Sequence, residues 1–313
     1  MKSSGAHGSE AHAGPLARLL AGRSPVVLDG AMGTELSRRG IATGLPLWSA
    51  HALVRSPDTV SRIHADYIDA GADIITTDTF RTTRRTFLRA GLPDRSAELT
   101  AVAVSLAREA RDGHPVLVAG SVAPLEDCYR PDLVPPEPEL RSEHTKHVRR
   151  LVSSGVDLLL LETMGTAREA QAAAQAAAET GVEFAVSFLC RRDGRLYGGE
   201  SIEEAVRVTE ACRPAAFLIN CVSARCIGIA FEKLRAALGG RGAAPIGLYA
   251  NVGIPGGEEN AAGERAMEED VGPVAYAAYA AGWAASGASI IGGCCGTTPD
   301  HIRALALALG EKR

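Results

Sequence analysis

Positive charge is scarce in this chain, and lysine scarcer still. Of 33 basic residues in 313, only Lys2, Lys146, Lys233 and Lys312 are lysines, and 37 acidic residues leave a formal net charge of −4. A nucleic-acid binder carries a basic footprint, so nucleic acid is not an expected partner. The preference for arginine reads as codon usage, not chemistry. Long apolar runs are missing too. None approaches the ~18 residues of a membrane-spanning helix, so no membrane partner is expected. Residues 1–15 are small, polar and rich in Gly, Ala and His. They lack the basic-then-apolar pattern of a signal peptide and read as a flexible tail with His7 and His12 solvated. The chain is therefore expected in the cytoplasm. Seven cysteines, an odd number in a long chain, do not suggest a disulfide framework. In a reducing compartment, clustered cysteines point to metal or catalysis.

Hydrophobic residues at 46% and charged residues at 22% are ordinary for a chain that buries a large core. The length suits two domains or one α/β barrel. Short β-rich runs lie at 26–31, 72–80, 116–122, 156–163, 183–189, 215–222, 246–252 and 288–294. Each is apolar almost throughout, as in parallel strands covered on both faces. Helical segments fall between them, for example at 60–70, 97–111, 166–179, 202–211, 226–238 and 274–286. Several end on glycine, as at Gly71, Gly155, Gly181 and Gly287, which fits a left-handed stop. Strand and helix alternating eight times predict a single-domain (β/α)8 TIM barrel over 16–313, an α/β fold. No G-x-G-x-x-G follows the first run, which disfavours a doubly wound sheet. Two loops interrupt the rhythm: a Pro-rich one at 124–138 and an acidic one at 253–270.

In such a barrel, chemistry sits at the C-terminal ends of the strands. The polar residues there are few: Asp29-Gly30, Thr77-Asp78-Thr79, Gly120-Ser121, Glu162-Thr163, Ser187, Asn220-Cys221, Asn251 and Cys294-Cys295. Strands six and eight are two apart around a barrel, so the sulfurs of Cys221, Cys294 and Cys295 can converge. Three thiolates with one open position suit a catalytic zinc. Buried apolar cysteines, or a Cys294–Cys295 disulfide, are the bland alternatives. Cys128, Cys190, Cys212 and Cys226 read as packing residues, and His301, behind a Thr-Pro-Asp helix start, as structural.

The run Gly292-Gly293-Cys294-Cys295-Gly296-Thr297-Thr298-Pro299-Asp300-His301-Ile302 resembles the ending of the zinc-dependent homocysteine S-methyltransferase family. Leu28-Asp29-Gly30-Ala31-Met32-Gly33-Thr34-Glu35-Leu36 resembles its opening, and Leu161-Glu162-Thr163 and Asn220-Cys221 its internal motifs. Leu47-Trp48-Ser49-Ala50, with His64 and Tyr67 downstream, looks like the members that use sulfonium donors. The resemblance spans about residues 25 to 308 and implies a (β/α)8 barrel.

It further implies that Cys221, Cys294 and Cys295 hold Zn²⁺ and act through it. It implies homocysteine as the acceptor and S-methylmethionine or S-adenosylmethionine as the donor. Asp29, Gly30 and Glu162 are implied to hold the amino-acid end of homocysteine, with Asn251 and Ser187 as further substrate contacts. Trp48 is a candidate donor-site wall that can offer a cation–π contact to a sulfonium. Two stretches depart from the sulfonium users. Thr77-Asp78-Thr79-Phe80-Arg81 stands where they tend to carry Ser-Tyr-Gln, and the loop 125–138 diverges. Asp78 and Arg81 add charge to the pocket. The alternatives are another thiol or selenol acceptor, or a donor such as methyltetrahydrofolate, betaine or a partner-borne methyl-cobalamin. A phosphate-binding barrel is a weaker reading, because vicinal cysteines have no role there. The expected assembly is a monomer or homodimer.

Overall fold

A computed structural model describes residues 14–23, 25–239, 244–253 and 271–310. Most of the tail read at 1–15, and the acidic loop from residue 254 to 270, lie outside these residues.

The eight apolar runs become eight parallel strands: β1 (Val26–Val27), β2 (Ile74–Thr76), β3 (Leu117–Val122), β4 (Leu158–Met164), β5 (Phe184–Leu189), β6 (Ala216–Ser223), β7 (Ile246–Asn251) and β8 (Ile290–Gly293). They pair in the order β1-β8-β7-β6-β5-β4-β3-β2. A Leu28–Ile74 bridge brings the two ends together, with Asp29 N–H donating to Ile74 O at 3.0 Å and Asp73 N–H to Val27 O at 2.7 Å. The architecture is therefore the (β/α)8 barrel expected from the strand count. β2 is shorter than its apolar run. After Thr76 the chain turns on itself, with Thr79 N–H donating to Thr77 O at 2.7 Å and the Thr79 hydroxyl to Ser121 O at 2.8 Å. The tight backbone turn and the hydroxyl bond take the place of further ladder pairing.

Two apolar layers follow from the alternation of each strand. Leu28, Ile74, Ala119, Leu158, Leu160, Ala185, Leu218, Tyr249 and Ile290 fill the inside. Val27, Ile75, Val118, Leu159, Leu161, Val186, Phe217, Ile219 and Leu248 face the helices. The six expected helices form at Pro57–Ala70, Ser96–Ala110, Ala167–Ala178, Ile202–Glu210, Ile227–Leu238 and Pro273–Ala285. Of the helix Glu137–Ser154 the sequence pattern marked only the end, at Gly155, which takes the left-handed φ of +91°. The helix is strongly polar and buries only a narrow stripe of Leu140, His144, His147, Val148 and Leu151.

The helix Pro15–Gly22, unanticipated, closes the N-terminal end of the barrel. Its first free N–H groups, at Leu16 and Ala17, donate to the Glu183 carboxylate at 2.6 and 3.3 Å. An acidic group at a helix start offsets both the unpaired donors and the dipole. Leu16, 1% exposed, enters the inner cluster. Leu16→Ala should lower unfolding free energy by ~2–5 kcal/mol in urea titration, with the C-terminal mouth of the barrel left intact. A loss under about 1 kcal/mol would mean that Leu16 does not seal the barrel.

Candidate metal centre

The sequence places Cys221 at the end of β6 and Cys294 and Cys295 just beyond β8, both at the C-terminal mouth. Folding brings their sulfurs together, all within 4.8 Å of one another. Cys221 Sγ and Cys295 Sγ are 3.8 Å apart. A tetrahedral ion with ~2.3 Å metal–sulfur bonds spaces its sulfurs by roughly 3.8 Å, so the donor set fits zinc in chemistry and in span. All seven cysteines are free, so no vicinal disulfide forms. The three are only part-buried, which leaves the cluster open to a small molecule. Hydrogen bonds from Cys294 and Cys295 hold the Cys221 thiol well below its ordinary range, and the same pairing pushes its partners up. Ionising all three needs a cation among them.

The local backbone aims these sulfurs. Cys221 has φ +59°, and Thr163, at the tip of β4, has φ +61°. Both stand where the ladder register shifts. Left-handed backbone at non-glycine residues costs about 1–3 kcal/mol and persists only where the surroundings enforce it. Asn220 supplies that enforcement. Its Oδ1 accepts from Thr163 N–H at 3.0 Å and its Nδ2 donates to Thr163 Oγ1 at 2.9 Å. The same amide reaches Cys294 Sγ at 3.9 Å. Asn251 Nδ2 donates to Cys221 Sγ at 3.9 Å, and the Tyr129 hydroxyl lies 3.4 Å from the same sulfur. Donors aimed at sulfur favour the thiolate. Gly296, with φ +83°, turns the chain away behind the pair, and a side chain there would strike Gly253 O.

Beside the sulfurs lie two buried carboxylates. Asp29, at the tip of β1, accepts from Thr76 N–H at 2.7 Å and from Thr76 Oγ1 at 3.0 Å. Burial pushes its carboxyl up to about 8, against these hydrogen bonds and with a contribution from Glu162. Glu162 Oε1 accepts from the Ser121 hydroxyl. Burial pushes Glu162 up to about 7, against that bond and with Cys221 adding to the rise. Among the described residues neither acid has an ion-pair partner, and two such acids fit a bound ammonium. Gly30 lies where a Cβ would meet the Tyr67 ring at 2.7 Å and Thr297 Oγ1 at 2.9 Å, so its backbone closes tightly on the segment after the cysteines.

The remaining candidates separate. Asn251 points its amide at Cys221 and leaves a buried Oδ1 without a partner. Ser187 is fully buried and donates to Asn220 Oδ1 at 2.7 Å, so it braces Asn220 from beneath instead of facing the mouth. Trp48 is 37% exposed and lies against Gly33, whose Cβ would come 2.6 Å from the indole nitrogen. Asp78 accepts from the Ser49 hydroxyl. Arg81 turns away, its guanidinium donating to Glu126 O at 3.0 Å and lying over the Phe80 ring. His301 caps its own helix and donates from Nε2 to Val271 O at 2.9 Å, a structural role.

Tyr129 was missed. It sits in the Pro-rich loop, packs edge-on against Tyr197 with centroids 5.3 Å apart, and reaches Cys221. The nearest sequence signal is the Glu126-Asp127-Cys128-Tyr129 stretch, which has no periodicity to mark it. Cys128, read as packing, is part-buried and lies near enough to Cys221 and Arg81 to feel both charges.

A parallel barrel with a three-sulfur cluster that could hold a metal ion, and with two buried acids at its mouth, is the class of site the fold defines. The family model for homocysteine S-methyltransferase matches residues 26–309, and the chain belongs to that family. It is 34% identical to the selenocysteine methyltransferase of Astragalus bisulcatus, over 91% of this chain and 92% of that protein. It is 33% identical to the homocysteine S-methyltransferase of Escherichia coli (strain K12), over 93% and 97%. The metallated crystal structure of the homocysteine methyltransferase MmuM from Escherichia coli superposes with a TM-score of 0.79 at 32% identity, covering 94% of this chain and 99% of that one.

Proposed function

We propose that this protein transfers a methyl group from a sulfonium donor, S-methylmethionine or S-adenosylmethionine, to the thiol of homocysteine, giving methionine, with Zn²⁺ held by Cys221, Cys294 and Cys295. The observation that carries this is the convergence of three sulfurs within 4.8 Å of one another beside two buried acids. When bound, zinc supplies a lowered thiol pKa, so that an acceptor sulfur is anionic at neutral pH.

The protein's own residues do the rest. Asp29 and Glu162 pair with the acceptor's ammonium and fix the amino-acid end. The backbone around Gly30 closes over it. Asn220, Asn251 and Tyr129 hold the sulfurs in orientation through the hydrogen bonds described. With the acceptor held at one end, its sulfur is presented along one line to the methyl carbon, and alignment supplies much of the rate. The new S–CH₃ bond forms as the donor's C–S⁺ bond breaks. The donor leaves as a neutral thioether, so no acid is needed. Free thiols at the site suit a reducing compartment such as the cytosol.

The test is methionine formation by purified, zinc-loaded protein given homocysteine and, separately, S-methylmethionine, S-adenosylmethionine and methyltetrahydrofolate. A parallel arm offers selenocysteine, because a relative is a selenocysteine methyltransferase. Product from a sulfonium donor is expected. Product only from methyltetrahydrofolate rejects the donor, and product only with selenocysteine rejects the acceptor. No product from any pair, with one zinc bound per chain, overturns the reaction as a whole.

A further inference from the structure

Asp78 has no use in the chemistry derived so far, and its surroundings are unusual. It lies at the β2 tip and is 2% exposed. One carboxylate oxygen accepts from the Ser49 hydroxyl, and the other, Oδ2, is buried without a partner. Among the described residues no Lys, Arg or His forms an ion pair with it. Its near neighbour Arg81 sends its guanidinium to Glu126 O and the Phe80 ring instead. Burial pushes Asp78 up to about 6, opposed only by the Ser49 bond. A neutral side chain would hold Ser49 at less cost, since burying a carboxylate without a cation is unfavourable.

The position is set by a chain of contacts leading to the cysteines. Ser49 follows Trp48, whose backbone is held at φ +49° and whose indole lies against Gly33. Thr34, the next residue, accepts from Gly296 N–H at 3.0 Å, and Gly296 follows Cys295 directly. Asp78, through Ser49, and Trp48 thus stand together on the β1–β2 side of the mouth, joined to the segment after Cys295 through Gly33 and Thr34 of the helix Met32–Arg38. Asp29 and Glu162 already answer the one ammonium of the acceptor. An additional buried acid beside a half-exposed indole suits a second cation.

We propose that Asp78, with Trp48, recognises the positive charge of the methyl donor, and so selects sulfonium donors over uncharged molecules of the same shape. This rests on the methyl-transfer reading above. The carboxylate contributes charge pairing, and the indole face a cation–π contact.

The probe pair is S-methylmethionine and its carbon isostere 2-amino-5-methylhexanoate, in which CH replaces S⁺. Calorimetric titration of both into zinc-loaded protein, wild type and Asp78→Asn, reads the preference for charge directly. Wild type is expected to prefer the sulfonium by ~10-fold or more, and Asp78→Asn to cut that preference to within about threefold. In turnover, KM for S-methylmethionine should rise about 10-fold while KM for homocysteine stays within about twofold. Asp78→Glu, which restores the charge, should recover part of the preference. An unchanged preference in Asp78→Asn overturns the proposal. So does a parallel rise in KM for homocysteine, which would place Asp78 with the acceptor or the framework. If wild type shows the Asp78-dependent preference but makes no methionine, the methyl-transfer reading fails and the charge recognition stands.

Discussion

Cys294→Ala is expected to strip the protein of zinc and of methyl transfer while leaving the barrel folded. The cysteine contributes one of three sulfurs that lie within 4.8 Å of one another, and no other Cys, His, Asp or Glu joins that cluster among the described residues. A structural zinc site binds with ~10–16 kcal/mol shared among its ligands, so one thiolate is worth roughly 4 kcal/mol, or about 10³-fold in metal affinity. The residual site would then be Cys221 and Cys295, and Asn220 would lose the sulfur its amide now reaches. Metal content by mass spectrometry should fall from one ion per chain towards zero after mild chelation. Methionine formation should drop by about 10³-fold or more, with far-ultraviolet circular dichroism unchanged. Full metal content with normal turnover would show that the cluster is not the metal site. Loss of turnover with the metal retained would mean that Cys294 serves the reaction some other way.

Glu162→Gln should weaken homocysteine binding by about 10²-fold with zinc content intact. The amide has the shape of the acid and can keep a bond with Ser121, but it cannot pair with an ammonium. Losing one partner of a buried charge pair costs about 2–5 kcal/mol. The pH dependence has a definite sign. Without a ligand, burial pushes Asp29 up to about 8 and Glu162 up to about 7. A bound ammonium favours both charged forms and lowers both values, so binding releases protons and affinity rises with pH up to about 8. L-homoserine, which carries the ammonium but no titrating thiol, isolates this effect. Its affinity should climb between pH 6 and 8 in wild type, in the range of the raised carboxyls, and more shallowly in Glu162→Gln. A flat profile in wild type would remove the carboxylates from ammonium binding.

The same raised values bear on stability. A carboxyl whose folded value lies above its unfolded one is stabilising below the unfolded value and loses that contribution as pH rises through the folded one. For Asp29 and Glu162 the window runs from the ordinary carboxylate range, 3.8 and 4.5, to about 8 and about 7. The unliganded protein should therefore lose stability across that interval, and an ammonium ligand should restore it. The two buried acids are thus a burden on the empty fold, as left-handed backbone is at Cys221 and Thr163.

The eight strands were legible because each is a short, continuous apolar run bounded by turn residues, a local property that needs no partner to be seen. The polar residues closing those runs marked the mouth, because a parallel strand buried on both faces leaves polar side chains few places except its tip. Together with the Gly292–Ile302 motif they identified the family and the cysteines. What the tertiary structure alone decided depends on residues distant in sequence. Leu16 fills the barrel floor because Glu183, 167 residues away, holds its helix. Tyr129 reaches Cys221 across 92 residues, from a loop without periodicity. Ser187 looks like a tip residue in sequence, yet its hydroxyl is taken by Asn220. Asp78 looked like one more charge in the pocket, and only the fold shows one oxygen bound to Ser49 and the other left bare. Local pattern fixes which face of a strand is buried. The partner that a side chain meets there is fixed by the closure of the barrel, which brings all eight strand tips to one mouth.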